Sequence, residues 1–113
     1  MPEQEDFDAQ KYRIEVNDIG TTCYYNNDEQ LHRDDGPVIE WANGTRHWYQ
    51  NGLLHRTDGP AIESVNGHRL WLQNGILHRT DGPAVEWCDG DKVWYINGEK
   101  LCEAEFIQAV NPL

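Results

Sequence analysis

Three clusters of the same residue types set the chemical question. His32, Arg33 and Asp35 lie in "LHRDDGPV" (Leu31–Val38). His55, Arg56 and Asp58 lie in "LHRTDGPA" (Leu54–Ala61), and His78, Arg79 and Asp81 lie in its second copy (Leu77–Ala84). An imidazole with a carboxylate three residues on has the groups needed for proton transfer or metal ligation. The spacing argues against both. Equivalent residues are 23 apart, and two strands per unit would separate successive clusters by about 10 Å. Imidazoles that far apart cannot converge on one ion at roughly 2 Å. A group needed once per unit is better read as a structural joint, in which Asp caps the turn while His and Arg bond backbone or the Glu40/Glu63/Glu86 row. No metal and no cofactor are expected.

Catalytic residues are not expected either. Ser64 is the sole serine and lies in a strand segment, with no nucleophile-elbow pattern around it. Cys88 and Cys102 have no adjacent base in sequence, and no Gly-rich phosphate loop opens a helix. A regular open sheet supplies no deep pocket to exclude water. The sequence reads as non-enzymatic.

Charge narrows the partners. The formal net charge of the 113 residues is −11, which disfavours a nucleic-acid groove or a polybasic membrane contact. Much of the acidity is N-terminal: residues 1–29 hold eight acids against Lys11 and Arg13, while His32–Gly98 carries a net −3. That is too sparse a set of carboxylates for a mimic of DNA. No apolar run is long enough to span a bilayer, and "MPEQEDFD" is acidic where a secretory leader is basic. Cys23, Cys88 and Cys102 are odd in number and lack a CxxC spacing, as in reduced cytosolic thiols. A cytoplasmic location is expected.

The clusters must be positioned by something that repeats with them. The 23-residue register also aligns Trp48/Trp71/Trp94, the pairs Asn51-Gly52/Asn74-Gly75/Asn97-Gly98, and the pairs Asn43-Gly44/Asn66-Gly67/Asp89-Gly90. Fixed-period similarity marks a repeat array, and Asn-Gly between alternating apolar residues is a hairpin signal. The fold expected is all-β: an elongated antiparallel meander of tandem 23-residue hairpin repeats. Its parts are an acidic, flexible arm (1–10), a degenerate capping repeat (11–30), three repeats (31–98), and a capping segment (99–113) with a helix at about 103–110, all in one domain.

A two-residue turn at Asn43-Gly44 would set Trp41 opposite Arg46 and Ile39 opposite Trp48. One face would then carry Ile39, Trp41, Arg46 and Trp48, with Trp71, Trp87, Lys92 and Trp94 among their equivalents. The other would carry Val38, Glu40, His47 and Tyr49. The Trp48/Trp71/Trp94 stripe reads first as packing and second as part of the binding surface. Trp41 and Trp87, with Arg46 and Lys92 beside them at cation–π distance, are the candidate anchors for binding on the same face.

The pattern "WYxNGxLHRxDGPAxEWxxG" resembles the MORN repeat, and more closely a variant common in uncharacterised phage and bacterial proteins. The resemblance covers Leu31–Gly98. Where the typical repeat has Gly after His, this chain has Arg33, Arg56 and Arg79. The resemblance implies an elongated, twisted antiparallel sheet that binds proteins or, in some members, lipids. Taken with the charge and the aromatic rows, it leads us to expect a protein-interaction module. A phage origin would make a host protein the partner. The alternative is an architectural or assembly component that associates with copies of itself as a homo-oligomer.

Overall fold

Two kinds of tight turn, alternating along the chain, build the fold. The computed structural model describes residues 12–111, so the N-terminal arm at 1–10 lies outside the described residues. The strands are β1 (Arg13–Val16), β2 (Thr22–Tyr25), β3 (Ile39–Glu40), β4 (Arg46–His47), β5 (Tyr49–Gln50), β6 (Leu53–Leu54), β7 (Ile62–Glu63), β8 (Arg69–Leu70), β9 (Leu72–Gln73), β10 (Ile76–Leu77), β11 (Val85–Glu86), β12 (Lys92–Ile96) and β13 (Glu99–Leu101); one helix, α1 (Glu103–Val110), follows. Nine strands form an antiparallel sheet in the order β1-β2-β3-β4-β7-β8-β11-β12-β13. The hairpins β5–β6 and β9–β10 stand apart from it. The molecule is elongated, measuring 58 × 29 × 21 Å.

The hairpins leave the main sheet at Trp48 and Trp71. The Trp48 N–H donates to Ala61 O (2.8 Å) in the main sheet, while its carbonyl accepts from His55 N (3.0 Å) in the hairpin strand; Trp71 does the same with Ala84 (2.7 Å) and His78 (3.0 Å). Each tryptophan is therefore a pivot between two ladders. In the last unit the pivot is absent, and β12 runs straight through Trp94 to pair with both β11 and β13.

The second turn of each unit is the expected two-residue type. Tyr49 pairs with Leu54 and Gln50 with Leu53, and Asn51 and Gly52 both have positive φ, +50° and +84°. The first turn is one residue longer than expected. Trp41, rather than Ala42, lies opposite Thr45 (Trp41 N to Thr45 O, 3.0 Å), and Gly44 N returns to Trp41 O at 3.0 Å. Gly44 alone of Ala42–Gly44 has positive φ, +100°, as in a three-residue loop closed by a glycine bulge. The Asn43 side chain stabilises it by accepting from Thr45 N at 2.9 Å.

That one residue exchanges the faces, because side chains alternate along a strand. Ile39 pairs with His47 and Glu40 with Arg46, which corrects the expected grouping of Arg46 with Ile39 and Trp41. One face now carries Ile39, His47, Ile62, Leu70, Val85 and Val93, and the other carries Glu40, Arg46, Glu63, Arg69, Glu86 and Lys92. Charge alternates in sign from strand to strand along the second face. Arg46 lies 3.7 Å from Glu40 and 3.9 Å from Glu63, and Arg69 lies 3.6 Å from Glu86. Each exposed pair contributes little, but no two like charges sit directly opposite.

The core is narrow. Val38, Ala61 and Ala84, the residues after Pro in each "DGP", are fully buried, and Val85, Leu72, Tyr12 and Phe106 are nearly so. Helix α1 begins at Cys102, whose backbone N–H donates to the Glu105 carboxylate at 2.9 Å, a capping arrangement that acids in the first turn reinforce. Its buried residue, Phe106, packs on Trp94 with ring centroids 6.4 Å apart. Among the described residues no helix is long and apolar enough to cross a membrane.

The first-turn geometry carries a stability prediction. Gly67 has φ +100°, where a β-branched residue is strained. Gly67→Val is expected to destabilise by more than about 1 kcal/mol, read as a lower thermal midpoint. An unchanged midpoint would refute the assigned turn.

Candidate functional site

Each His-Arg-Asp cluster sits where a hairpin returns to the main sheet, and its groups divide the work. His32 Nδ1 accepts the backbone N–H of Asn51 (2.9 Å), His55 Nδ1 that of Asn74 (2.9 Å), and His78 Nδ1 that of Asn97 (2.9 Å). An accepting Nδ1 places the ring proton on Nε2. Each imidazole thus holds the Asn-Gly turn 19 residues further along its own repeat, and that turn is further tied by Gly52 N to Leu31 O (2.9 Å), Gly75 N to Leu54 O (2.7 Å) and Gly98 N to Leu77 O (2.8 Å).

Arg56 and Arg79 each reach back to the tryptophan of the preceding repeat. The Arg56 guanidinium lies 3.8 Å from the centre of the Trp48 ring and Arg79 lies 3.8 Å from that of Trp71. Arg56 donates to Asp58 (2.9 Å), Pro60 O (3.1 Å) and Glu63 (3.2 Å), and Arg79 to Asp81 (2.8 Å), Pro83 O (3.0 Å) and Glu86 (3.3 Å). The hydrogen bond from Arg79 holds the Asp81 carboxyl below its ordinary range. A glycine leaves room for the clamp: a Cβ on Gly59 would lie 2.9 Å from Arg56 Cζ.

The two ends of the array modify this joint. Arg33 bonds Asp35 (2.9 Å) and Pro37 O (3.1 Å) but stacks on Tyr24 (4.0 Å) in place of a tryptophan. There the imidazole has an extra partner, since His32 Nε2 lies 3.0 Å from Asp34. At the C-terminal end Leu101 and Cys102 stand where His and Arg would fall, and Trp94 meets the ring of Phe106 rather than a cation. Tyr24 stands where the repeat has tryptophan, in "GTTCYYNN" for "GTRHWYQN", and Phe106 comes from the capping helix.

The proposed binding residues are arranged differently from expectation. Arg46 and Lys92 do not stack on Trp41 and Trp87; they belong to the charged face, opposite Glu40 and Glu86. Trp41 instead meets His47 edge-on at 4.5 Å, and Trp87 meets His68 at 5.0 Å. Trp87 remains 42% exposed and borders a shallow groove of about 440 Å³ with Arg69, Glu86, Cys88 and Lys92. The Cys88 N–H donates to His68 Nδ1 at 3.0 Å, which fixes that imidazole against the indole. The sequence reading missed His68, although it is one of two histidines outside the "LHR" motif.

Grooves also repeat on the joint side. One of about 670 Å³ lies between Arg33 and Arg56, and one of about 410 Å³ between Arg56 and Arg79. Among the described residues no group of three or more His, Cys, Asp or Glu side chains could hold a metal ion. Cys23, Cys88 and Cys102 are all free thiols. The chain matches no family model, no curated protein and no solved structure.

Proposed function

We propose that the chain is a non-enzymatic, MORN-like protein-interaction module acting in the cytoplasm, and, if its phage-like motif reflects its origin, a binder or inhibitor of a host protein. The observation that carries this reading is Trp87. A large indole stands 42% exposed, is held edge-on by His68, and occupies a position where the equivalent unit has Ser64. The repeat therefore does not need an aromatic there. Trp41 is its counterpart about 20 Å away, taking two units of two strands at 4.8 Å per strand, a span suited to a protein surface. The motif positions, by contrast, are engaged in internal joints.

The test is capture from a bacterial lysate by the intact chain, followed by affinity measurement on the captured protein. Trp41→Ser and Trp87→Ser are expected to keep the parent's melting behaviour and to weaken binding at least about tenfold each, as interface aromatics do. Normal binding by both folded variants would place the interface elsewhere.

A further inference from the structure

The two ends of the nine-stranded sheet are β1 and β13. At the β13 end, α1 packs on the last two strands and buries Phe106. At the other end all four residues of β1 are exposed, and among the described residues no strand lies beyond it. Asn17 N donates to Thr21 O at 3.0 Å, and antiparallel bonding alternates from there, so Glu15 and Arg13 exchange bonds with Cys23 and Tyr25. The backbone groups of Ile14 and Val16 consequently point away from β2. Their side chains are 40% and 64% exposed. A strand edge of this kind templates the addition of another strand.

We propose that β1 pairs antiparallel with β1 of a second copy of this chain, about a two-fold axis through Ile14. The register follows from symmetry and charge. In a two-fold pair, residue i faces residue j and j faces i. An axis at Ile14 makes Ile14 a hydrogen-bonded pair with its own copy, which matches the outward direction of its backbone groups. The flanking positions then set Arg13 across from the second copy's Glu15, and Glu15 across from its Arg13. These are non-hydrogen-bonded positions, where Cα atoms approach to about 4.5 Å and side chains are closest. An axis one residue on would set Glu15 against itself, which is unfavourable. Placing it at Val16 sets Glu15 opposite Asn17 and forfeits both ion pairs.

The guanidinium is already held at this edge. Arg13 lies 4.1 Å from the centre of the Tyr25 ring and ion-pairs with Glu15 and Glu29 of its own chain. Exposed pairs of that sort contribute little, so sharing Glu15 with a second copy costs little. Ile14, Val16 and their symmetry mates form the apolar side of the joined edge. The contact is small, and the dimer is accordingly weak and concentration-dependent.

Sedimentation equilibrium of the full chain, up to about 1 mM, where a small interface is populated, tests the proposal through charge reversal. The parent is expected to approach twice the chain mass with rising concentration. Arg13→Glu places acid against acid and Glu15→Arg places base against base, and each variant alone is expected to associate about tenfold more weakly or less. Mixed in equal amounts, the two variants are expected to form heterodimers, because the paired acids of one chain then face the paired bases of the other. Rearranged ion pairs within one chain cannot produce that recovery. A chain carrying both changes is expected to associate like the parent. The proposal is overturned by a parent that stays a single chain throughout, by single variants that associate as the parent does, or by a mixture no tighter than its components.

Discussion

Arg56→Ala is expected to destabilise the protein by about 3 kcal/mol, close to the upper end for a single substitution. The side chain makes three hydrogen bonds, to Asp58, Pro60 O and Glu63, while its guanidinium carbon sits 3.8 Å from the centre of the Trp48 ring. Its stack on the indole contributes about 0.5–2 kcal/mol, and a hydrogen bond involving a charged group about 1.5–3 kcal/mol. Truncation also leaves the part-buried Pro60 carbonyl without its donor and uncovers the Trp48 ring. Arg56→Lys is expected to recover less than half of the loss, because an ammonium keeps the charge but not the planar fork. Arg33→Ala is expected to cost less than Arg56→Ala, since Arg33 stacks on Tyr24 and, among the described residues, makes hydrogen bonds to Asp35 and Pro37 O alone. Urea midpoints of the three variants, read with the parent's slope, check the order. Equal losses for Arg33→Ala and Arg56→Ala would mean that neither the indole nor Glu63 contributes as argued.

The array was legible in the sequence because its signals are local and recur three times. The Asn-Gly dipeptides and the helix at Glu103–Val110 are signalled by neighbours within a few residues, and the 23-residue register by the recurrence of such motifs. The strand faces failed for a reason that is not local. Asn-Gly supports either a two-residue turn with both φ positive or a three-residue loop with only Gly positive. At Asn51 the outward backbone N–H is received by His32 Nδ1, 19 residues earlier. At Asn43 a carboxamide oxygen closes the longer loop on Thr45. The dipeptide is the same in both places, and a remote imidazole distinguishes them.

The candidate site was misread through that same residue of register. Pairing Arg46 with Trp41 gave a plausible cation–π contact on the wrong face, while the cations that cover Trp48 and Trp71 come from the "LHR" motif itself, eight residues later in each case. The mutual positions of Arg56, Gly59 and Glu63 around one indole depend on how the Gly-Pro step folds back. Spacing alone does not specify that path. The alternating row from Glu40 to Lys92 emerges only once the correct register is known.

His47 breaks the apolar row in which it lies. Its neighbours on that face are Ile39, Ile62 and Leu70, its equivalents are Leu70 and Val93, and its Nδ1 is buried with no hydrogen-bond partner among the described residues. Trp41 and Tyr49 are the rings beside it. An unsatisfied buried polar atom costs about 1–3 kcal/mol, and the leucine at position 70 indicates that the site accepts an aliphatic side chain. His47→Leu is therefore expected to raise stability by about 1–2 kcal/mol at neutral pH, even with the loss of the edge contact to Trp41. Burial also pushes the His47 pKa below its ordinary value, and the sign of the resulting pH dependence follows. Above about pH 6.5 the ring is neutral in both folded and unfolded chains and contributes no slope. As pH falls below that value the unfolded chain takes up a proton that the folded chain resists, so stability drops until the folded-state pKa is also passed. The advantage of His47→Leu should consequently widen between pH 7.5 and pH 5.5, by no more than about 1.4 kcal/mol per pH unit. The other titrating groups are common to both proteins and cancel in the difference of their unfolding free energies. An advantage that stays constant or shrinks on acidification would mean that His47 titrates alike in both states, against the burial seen here.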